Sequence, residues 1–111
     1  MMVYAGGNRH YVGSTYNYMG DIYFKMLEAY HSGNFERLTT LEAEATAIYK
    51  ILNDYNSLIA GKEVMRLIGV DCGPVRKPLS PLKASDIAAL QERLQKTSFF
   101  DVALAKSNVK I

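Results

Sequence analysis

"TYNYMGDIYFKMLEAYHSG", residues 15 to 33, has the period of an α-helix. Apolar and aromatic side chains recur at every third or fourth position, at Tyr16, Met19, Ile22, Tyr23, Met26, Leu27 and Tyr30. Residues with this spacing lie on one face of a helix, and Gly33 is of the type that most often follows the last helical residue. The stretch therefore predicts a helix over residues 15 to 32 with one face that must be covered by other parts of a protein.

Two more amphipathic segments follow directly. A helix is predicted over residues 35 to 54, with Asn34 as its N-cap, because apolar residues again recur at helical spacing behind a residue type that favours caps. A third helix is predicted up to residue 68, with Ser57 as its N-cap and Gly69 as its stop. These segments already favour a mainly α fold.

The rest of the chain adds a loop and one further helix. Residues 70 to 82 contain all three prolines, so a loop or extended chain is predicted there. Ser85 is predicted to cap a fourth helix that runs to residue 97. The tail, residues 98 to 111, carries no decisive signal for helix or for a frayed end.

The composition is that of a single ordinary globular domain. Of 111 residues, 49% are hydrophobic and 22% are charged, and the formal net charge of +2 is spread along the chain, so no basic stripe suggests nucleic acid. Cys72 is the only cysteine, which excludes an intrachain disulfide and a cysteine-based zinc site. His10 and His31 are too far apart to suggest a metal pair and are interpreted as surface or interface residues. With no signal-like start and no long apolar run, a soluble cytoplasmic protein without metal is predicted.

Ahead of the first helix, Arg9 to Gly13 are predicted to form a single strand. A strand without a neighbour leaves its backbone N–H and C=O groups unpaired. The sequence therefore predicts that this strand has partners outside the chain.

Three motifs carry a resemblance to a known family. They are GSTYNYMG at 13 to 20, SGNFERL at 32 to 38 and AGKEVMRLIGVDCGPVRKPLSPL at 60 to 82. With the last amphipathic helix they resemble the C-terminal third of the pyruvate-dependent class I aldolases, the dihydrodipicolinate synthase family, from about residue 12 to about residue 96. The GSTYN motif and its spacing to the later motifs favour the N-acetylneuraminate lyase branch of that family.

The resemblance implies a fold in which this chain is only one part. Family members form a (β/α)₈ TIM barrel, which takes ~250 residues, followed by three helices. By resemblance, residues 1 to 14 are an orphan strand region equivalent to the eighth barrel strand, and residues 15 to 97 comprise the last barrel helix and the C-terminal helical extension. Residues 98 to 111 are a tail.

The resemblance also implies one site residue. Ser14 ends the last strand, where barrel active sites lie, and its hydroxyl is expected to contact sugar hydroxyls. Thr15 and Asn17 are interpreted first as caps of the following helix, with direct ligand contact as the alternative. Tyr16 and Tyr18 are interpreted as core or subunit-contact residues.

Two features of the sequence depart from the family pattern and leave the substrate open. Residues 8 to 11 read NRHY, where family members usually carry small apolar residues before this strand. Leu58 stands where some members place an aromatic side chain near the substrate.

The catalytic groups of the family are expected to be absent from this chain. The resemblance implies a Schiff-base lysine and a proton-relaying tyrosine on earlier barrel strands, so no residue here is assigned to catalysis. Lys62 is interpreted as a solvated or salt-bridged lysine of the helical extension rather than a nucleophile. Arg76 and Lys77 are interpreted as part of a loop on the barrel flank, with an anion clamp as the alternative.

Two classes of function remain open. The first is the C-terminal part of an N-acetylneuraminate lyase-like aldolase, which cleaves sialic acid to N-acetylmannosamine and pyruvate and is inactive as this chain alone. The alternative is a non-catalytic helical oligomerisation or interaction module derived from the family. In both cases a partner is expected, either further copies of the chain in a dimer or higher oligomer or a complementing N-terminal barrel segment. No cofactor, nucleic acid or membrane is expected.

Overall fold

The computed structural model describes residues 2 to 103, in which helices are joined by turns and loops. The helices are α1 (Met2–Ala5), α2 (Tyr16–His31), α3 (Phe35–Asp54), α4 (Ser57–Leu67), α5 (Ala84–Gln95) and α6 (Phe99–Val102). No strand occurs within this range. The mainly α fold class is confirmed, and each of the four predicted helices begins and ends within two residues of its predicted bounds.

The helix N-termini show which of the predicted N-cap residues form capping hydrogen bonds. Asn34 caps α3 as predicted, because its Oδ1 accepts a hydrogen bond from the backbone N–H of Arg37 at 3.1 Å. The α4 cap is Asn56 rather than Ser57. Asn56 lies at φ 63°, a left-handed conformation that asparagine tolerates, and its Oδ1 accepts from the backbone N–H of Leu58 at 3.1 Å. The cap predicted at Ser85 is also wrong, because α5 already begins one residue earlier and has no side-chain cap.

The core lies where α2, α4 and α5 pack against α3. Its largest fully buried side chains are Met19, Ile22, Leu38, Ile48, Leu52, Val64, Leu90, Leu94 and Phe99. On α3 the predicted apolar stripe is the face that becomes buried. On α2 only Met19, Ile22 and Met26 of the predicted stripe are buried, and its other members are half-buried. Phe99 brings α6, within the predicted tail, into this core, and the rest of the tail from residue 104 lies outside the described residues.

The strand predicted for residues 9 to 13 is not formed. A strand needs a neighbour for its backbone hydrogen bonds, and no backbone hydrogen bond joins residues 9 to 12 to any other described residue. Instead α1 folds back on α2, where the ring of Tyr4 lies 5.3 Å from that of Tyr30. The equivalence of this region to the eighth barrel strand stays a prediction.

Candidate functional site

A cavity of about 420 Å³ opens between the start of α2 and one face of α4. Its lining comprises Ser14, Asn17, Tyr18, Ser57, Leu58, Gly61, Lys62, Met65 and Cys72. Ser14 is exposed immediately before α2, so its hydroxyl is available to a ligand in this cavity. The structure thus brings the predicted site residue together with polar groups that are distant in the sequence.

Two other polar residues of the GSTYN motif, Thr15 and Asn17, have different surroundings, and neither side chain makes a capping hydrogen bond to α2. Thr15 is buried, and its Oγ1 lies 2.8 Å from the hydroxyl of Tyr23, two helical turns further along α2. Asn17 is exposed and lines the cavity beside Ser14. Thr15 therefore occupies the predicted N-cap position without a capping side-chain hydrogen bond, whereas Asn17 lies within α2; of the two, Asn17 is placed to contact a ligand.

Tyr18 closes one side of the cavity and belongs to the core as well. The residue is only 3% exposed, and its ring lies 6.3 Å from that of Phe99. Burial, with a smaller contribution from the charge of Tyr23, raises the pKa of Tyr18 to about 12. At neutral pH Tyr18 therefore presents a neutral hydroxyl, which can donate a hydrogen bond but does not act as a phenolate base.

Gly61 is the point of α4 that approaches this hydroxyl. A Cβ atom placed on Gly61 would lie 3.6 Å from the Tyr18 hydroxyl oxygen, at ordinary contact distance. Glycine therefore leaves room in the cavity beside the hydroxyl, although nothing in its backbone conformation requires it.

Lys62 lies on the same face of α4 and holds the following loop. Its Nζ donates a hydrogen bond to the backbone carbonyl of Cys72 at 3.0 Å. The partner of this lysine is thus a carbonyl, whereas the sequence had suggested solvent or a carboxylate. The bond ties the segment after α4 to the wall of the cavity.

A second cavity, of about 510 Å³, adjoins the first along this loop. The two share Leu58, Lys62 and Cys72, and the second continues along residues 73 to 79. We call the two adjoining cavities the groove. The predicted loop is confirmed here, and it places the exposed side chains of Arg76 and Lys77 at the far end of the groove from Ser14.

Comparison with known proteins agrees with this architecture. The model of the Dihydrodipicolinate synthetase family matches residues 2 to 97. The chain belongs to this family. Within it, the N-acetylneuraminate lyase of Rhizobium meliloti (strain 1021) is 29% identical over 89 residues, which cover 80% of this chain and 30% of that protein.

Solved structures point to the same branch of the dihydrodipicolinate synthetase family. The chain superposes on Proteus mirabilis N-acetylneuraminate lyase with a TM-score of 0.82 and 33% identity, over 87% of this chain and 33% of that one. N-acetylneuraminate lyase from Aliivibrio salmonicida gives a TM-score of 0.83 and 28% identity, over 88% of this chain and 33% of that one. The chain is thus an N-acetylneuraminate lyase-like member that spans about a third of the length of these relatives.

Several residues that line the cavity were not predicted as site residues, although the spacing of three of them indicates that they share a helix face. Ser57, Gly61 and Met65 recur every four residues and therefore lie on one face of α4, the face that lines the cavity. Leu58, which was expected near the substrate by resemblance, is exposed and lines the same cavity. No group of three or more possible metal ligands forms among the residues described, and no helix there is long and apolar enough to cross a membrane.

Proposed function

We propose that this chain is the C-terminal part of an N-acetylneuraminate lyase-like aldolase and supplies the Ser14 side of its substrate site. The observation that carries the proposal is the position of Ser14, exposed directly before α2 on the wall of a cavity lined by hydroxyl and amide groups. Membership of the family and the coverage of about a third of each relative support it. The reaction in the complete enzyme is cleavage of a sugar acid to N-acetylmannosamine and pyruvate.

Ser14, Asn17 and Tyr18 are the groups that would bind the sugar. A serine hydroxyl both donates and accepts, an asparagine amide does the same at two atoms, and the neutral hydroxyl of Tyr18 adds a donor. Hydroxyl groups of a sugar are donors and acceptors as well, so this set can hydrogen-bond a polyol without any charged group. Binding and orientation are therefore the contribution of this chain.

The bond-breaking step requires groups that we assign to the missing part of the barrel. A lysine amine that condenses with the keto carbon of the substrate forms an iminium, which accepts the electron pair when the neighbouring carbon–carbon bond breaks. A second group takes the proton from the sugar hydroxyl that becomes the aldehyde. Lys62 is not suited to this role, because its ammonium is hydrogen-bonded to the carbonyl of Cys72 at the edge of the cavity. We therefore expect no turnover by the chain alone.

An exposed aromatic surface on α2 supports the need for a partner. Phe24 is 73% exposed, and together with Tyr16, Tyr23 and Leu27 it borders an open apolar cavity of about 250 Å³. Exposed apolar area of this kind marks interaction surfaces. We propose that the N-terminal barrel segment covers it, and that a dimer or higher oligomer of the chain covers it when that segment is absent.

Complementation tests the proposal. The purified chain is mixed with the N-terminal two-thirds of Proteus mirabilis N-acetylneuraminate lyase, and pyruvate release from N-acetylneuraminate is measured. We expect activity only in the mixture, and Ser14→Ala should lower kcat/KM by about 3-fold to 10-fold because a hydrogen bond to substrate is lost. Ser80→Ala, in the exposed proline-rich loop, is the matched control.

The alternative function, a helical interaction module, predicts a different pattern. The mixture would then release no pyruvate, whereas a mass of at least twice 12.4 kDa for the chain alone in sedimentation equilibrium is expected in both cases. Pyruvate release by the chain alone would contradict the proposed division of the site.

A further inference from the structure

The first turn of α2 is separated from the rest of the helix by a kink at Met19. The backbone angles of Met19, φ −121° and ψ 19°, are not those of an α-helix. Residues 13 to 18 form a tight turn before the kink, in which three successive backbone N–H groups each donate to the carbonyl three residues earlier, at 3.2 to 3.3 Å. Ser14, Asn17 and Tyr18 all lie on this side of the kink. The regular geometry of the helix therefore does not by itself fix these three groups relative to the core.

The side chain of Tyr23 reaches back across this kink. Its hydroxyl oxygen lies 2.8 Å from Oγ1 of Thr15, and either hydroxyl group can donate or accept this hydrogen bond. Thr15 directly follows Ser14 in the chain, and only 9% of Thr15 is exposed. One neighbour of Ser14 is thereby tied to the body of α2.

The ring of Tyr23 supports the other neighbour of Ser14 through the ring of Tyr16. These two rings lie 4.5 Å apart in an edge-to-face arrangement, with 64° between their planes. The ring of Tyr16 in turn lies against Gly13, because a Cβ atom placed on Gly13 would lie 3.1 to 3.4 Å from three atoms of that ring. The contacts of both residues that flank Ser14 therefore converge on Tyr23.

We propose that Tyr23 is a positioning residue of the candidate site and holds Ser14 in place through both of its neighbours in the chain. Tyr23 is not among the residues that line the cavity of Ser14, so its effect on a ligand is transmitted by these neighbours. The inference rests on the proposed function in that the sugar is the ligand of Ser14, whereas the contacts of Tyr23 do not depend on the sugar. Loss of the Tyr23 hydroxyl should let the first turn sample other positions, which lowers the fraction of chains that present Ser14 correctly.

Hydrogen exchange in the full chain tests these contacts without any substrate. Tyr23→Phe keeps the ring and removes the hydroxyl, and Thr15→Val removes the other hydroxyl of the pair. Each should accelerate exchange of the Asn17 and Met19 amide protons by about threefold to tenfold, the range that corresponds to one net hydrogen bond, because the first turn opens more often. The amide protons of α3 should be unaffected. Tyr30→Phe is the matched control, since this tyrosine of α2 packs against α1 beyond the kink.

The double variant shows whether the two hydroxyl groups act as one unit. Because they share one hydrogen bond, Tyr23→Phe combined with Thr15→Val should accelerate exchange no more than either substitution alone. Thr15→Ser retains a hydroxyl at this position and should keep the wild-type exchange rate. Additive effects of the two substitutions, or an unchanged exchange rate in Tyr23→Phe, would overturn the inference.

The complemented enzyme separates positioning from stability. In the mixture with the N-terminal two-thirds of Proteus mirabilis N-acetylneuraminate lyase, Tyr23→Phe should raise KM for N-acetylneuraminate by about threefold to tenfold and leave kcat within about twofold, since Ser14 binds the sugar and the bond-breaking groups lie elsewhere. A loss of kcat at constant KM would mean that the substitution only reduces the amount of folded enzyme, and the positioning role would be wrong. A wild-type mixture that releases no pyruvate would contradict the proposed function instead, and the exchange rates of the chain alone would still decide whether Tyr23 holds the first turn.

Discussion

Tyr18→Phe removes one oxygen atom from the border between the core and the candidate site, and its effect on stability should depend on pH. Burial of the side chain raises the pKa of Tyr18 from 10.0 to about 12, with a smaller contribution from the charge of Tyr23. Below pH 10 the hydroxyl is protonated in both the folded and the unfolded chain, so its full contribution to stability is present. Above pH 10 the unfolded chain loses this proton first, and the folded state is progressively destabilised.

The magnitude follows from the two pKa values. Each pKa unit between the folded and unfolded states corresponds to about 1.4 kcal/mol, so wild-type protein should lose about 2 kcal/mol through this group by pH 12. Tyr18→Phe has no proton to lose and escapes that loss. At neutral pH the substitution should cost little, because the Tyr18 hydroxyl borders the cavity, where water can replace a protein partner.

Urea unfolding, followed by far-UV circular dichroism, measures the effect. The difference in unfolding free energy between the variant and wild type should be near zero at about pH 8 and should exceed about 1 kcal/mol in favour of the variant by about pH 11. Tyr49→Phe, on an exposed side chain of α3, is the control and should show no such divergence. A difference between Tyr18→Phe and wild type that stays constant with pH would refute the reasoning.

Three further predictions concern the fold and the chemistry. Asn34→Ala should lower the unfolding free energy by about 1 kcal/mol in urea titrations, because the backbone N–H of Arg37 loses its hydrogen-bond acceptor at the start of α3. An unchanged urea midpoint would contradict the role of Asn34 as a cap. Ile48→Ala should cost about 2 to 5 kcal/mol in the same assay, since it opens a cavity in the core, whereas Tyr49→Ala should cost clearly less. Borohydride reduction with pyruvate should add no mass to any lysine, and a modified Lys62 in mass spectra would disprove the assignment of the Schiff-base lysine to the missing part.

The helices could be predicted because their information is local. The apolar residues of α2 and α3 recur at the spacing that a helix requires, and Asn34 and Gly33 mark the boundary between the two. The strand predicted at residues 9 to 13 is not formed, because a strand is completed by hydrogen bonds to residues elsewhere, which local sequence does not provide. Within the described residues those partners do not exist.

The site was only partly predictable for a related reason. Ser14 was found through the resemblance of its motif, but the role of Tyr18 was hidden because one side chain serves both the core and the cavity. Its ring lies on the buried face of α2, and the spacing of apolar residues does not indicate that its hydroxyl reaches the cavity. The bond from Lys62 to Cys72 depends on the path of a loop, which the sequence constrains only through its prolines.

The same lack of pairing limits what the site can do without the rest of a barrel. Ser14 is fixed on one side by α2, but residues 9 to 12 make no backbone hydrogen bonds to other described residues, and Val12 within this segment is fully exposed. A hydroxyl that is held from only one side samples several positions. This lowers the fraction of chains whose Ser14 hydroxyl is placed to bind the sugar. Pairing of residues 9 to 13 with neighbouring strands would fix Ser14 from both sides and bury Val12. The N-terminal segment is therefore expected to supply catalytic groups and also to tighten sugar binding at Ser14, a gain that a second copy lacking those strands cannot provide.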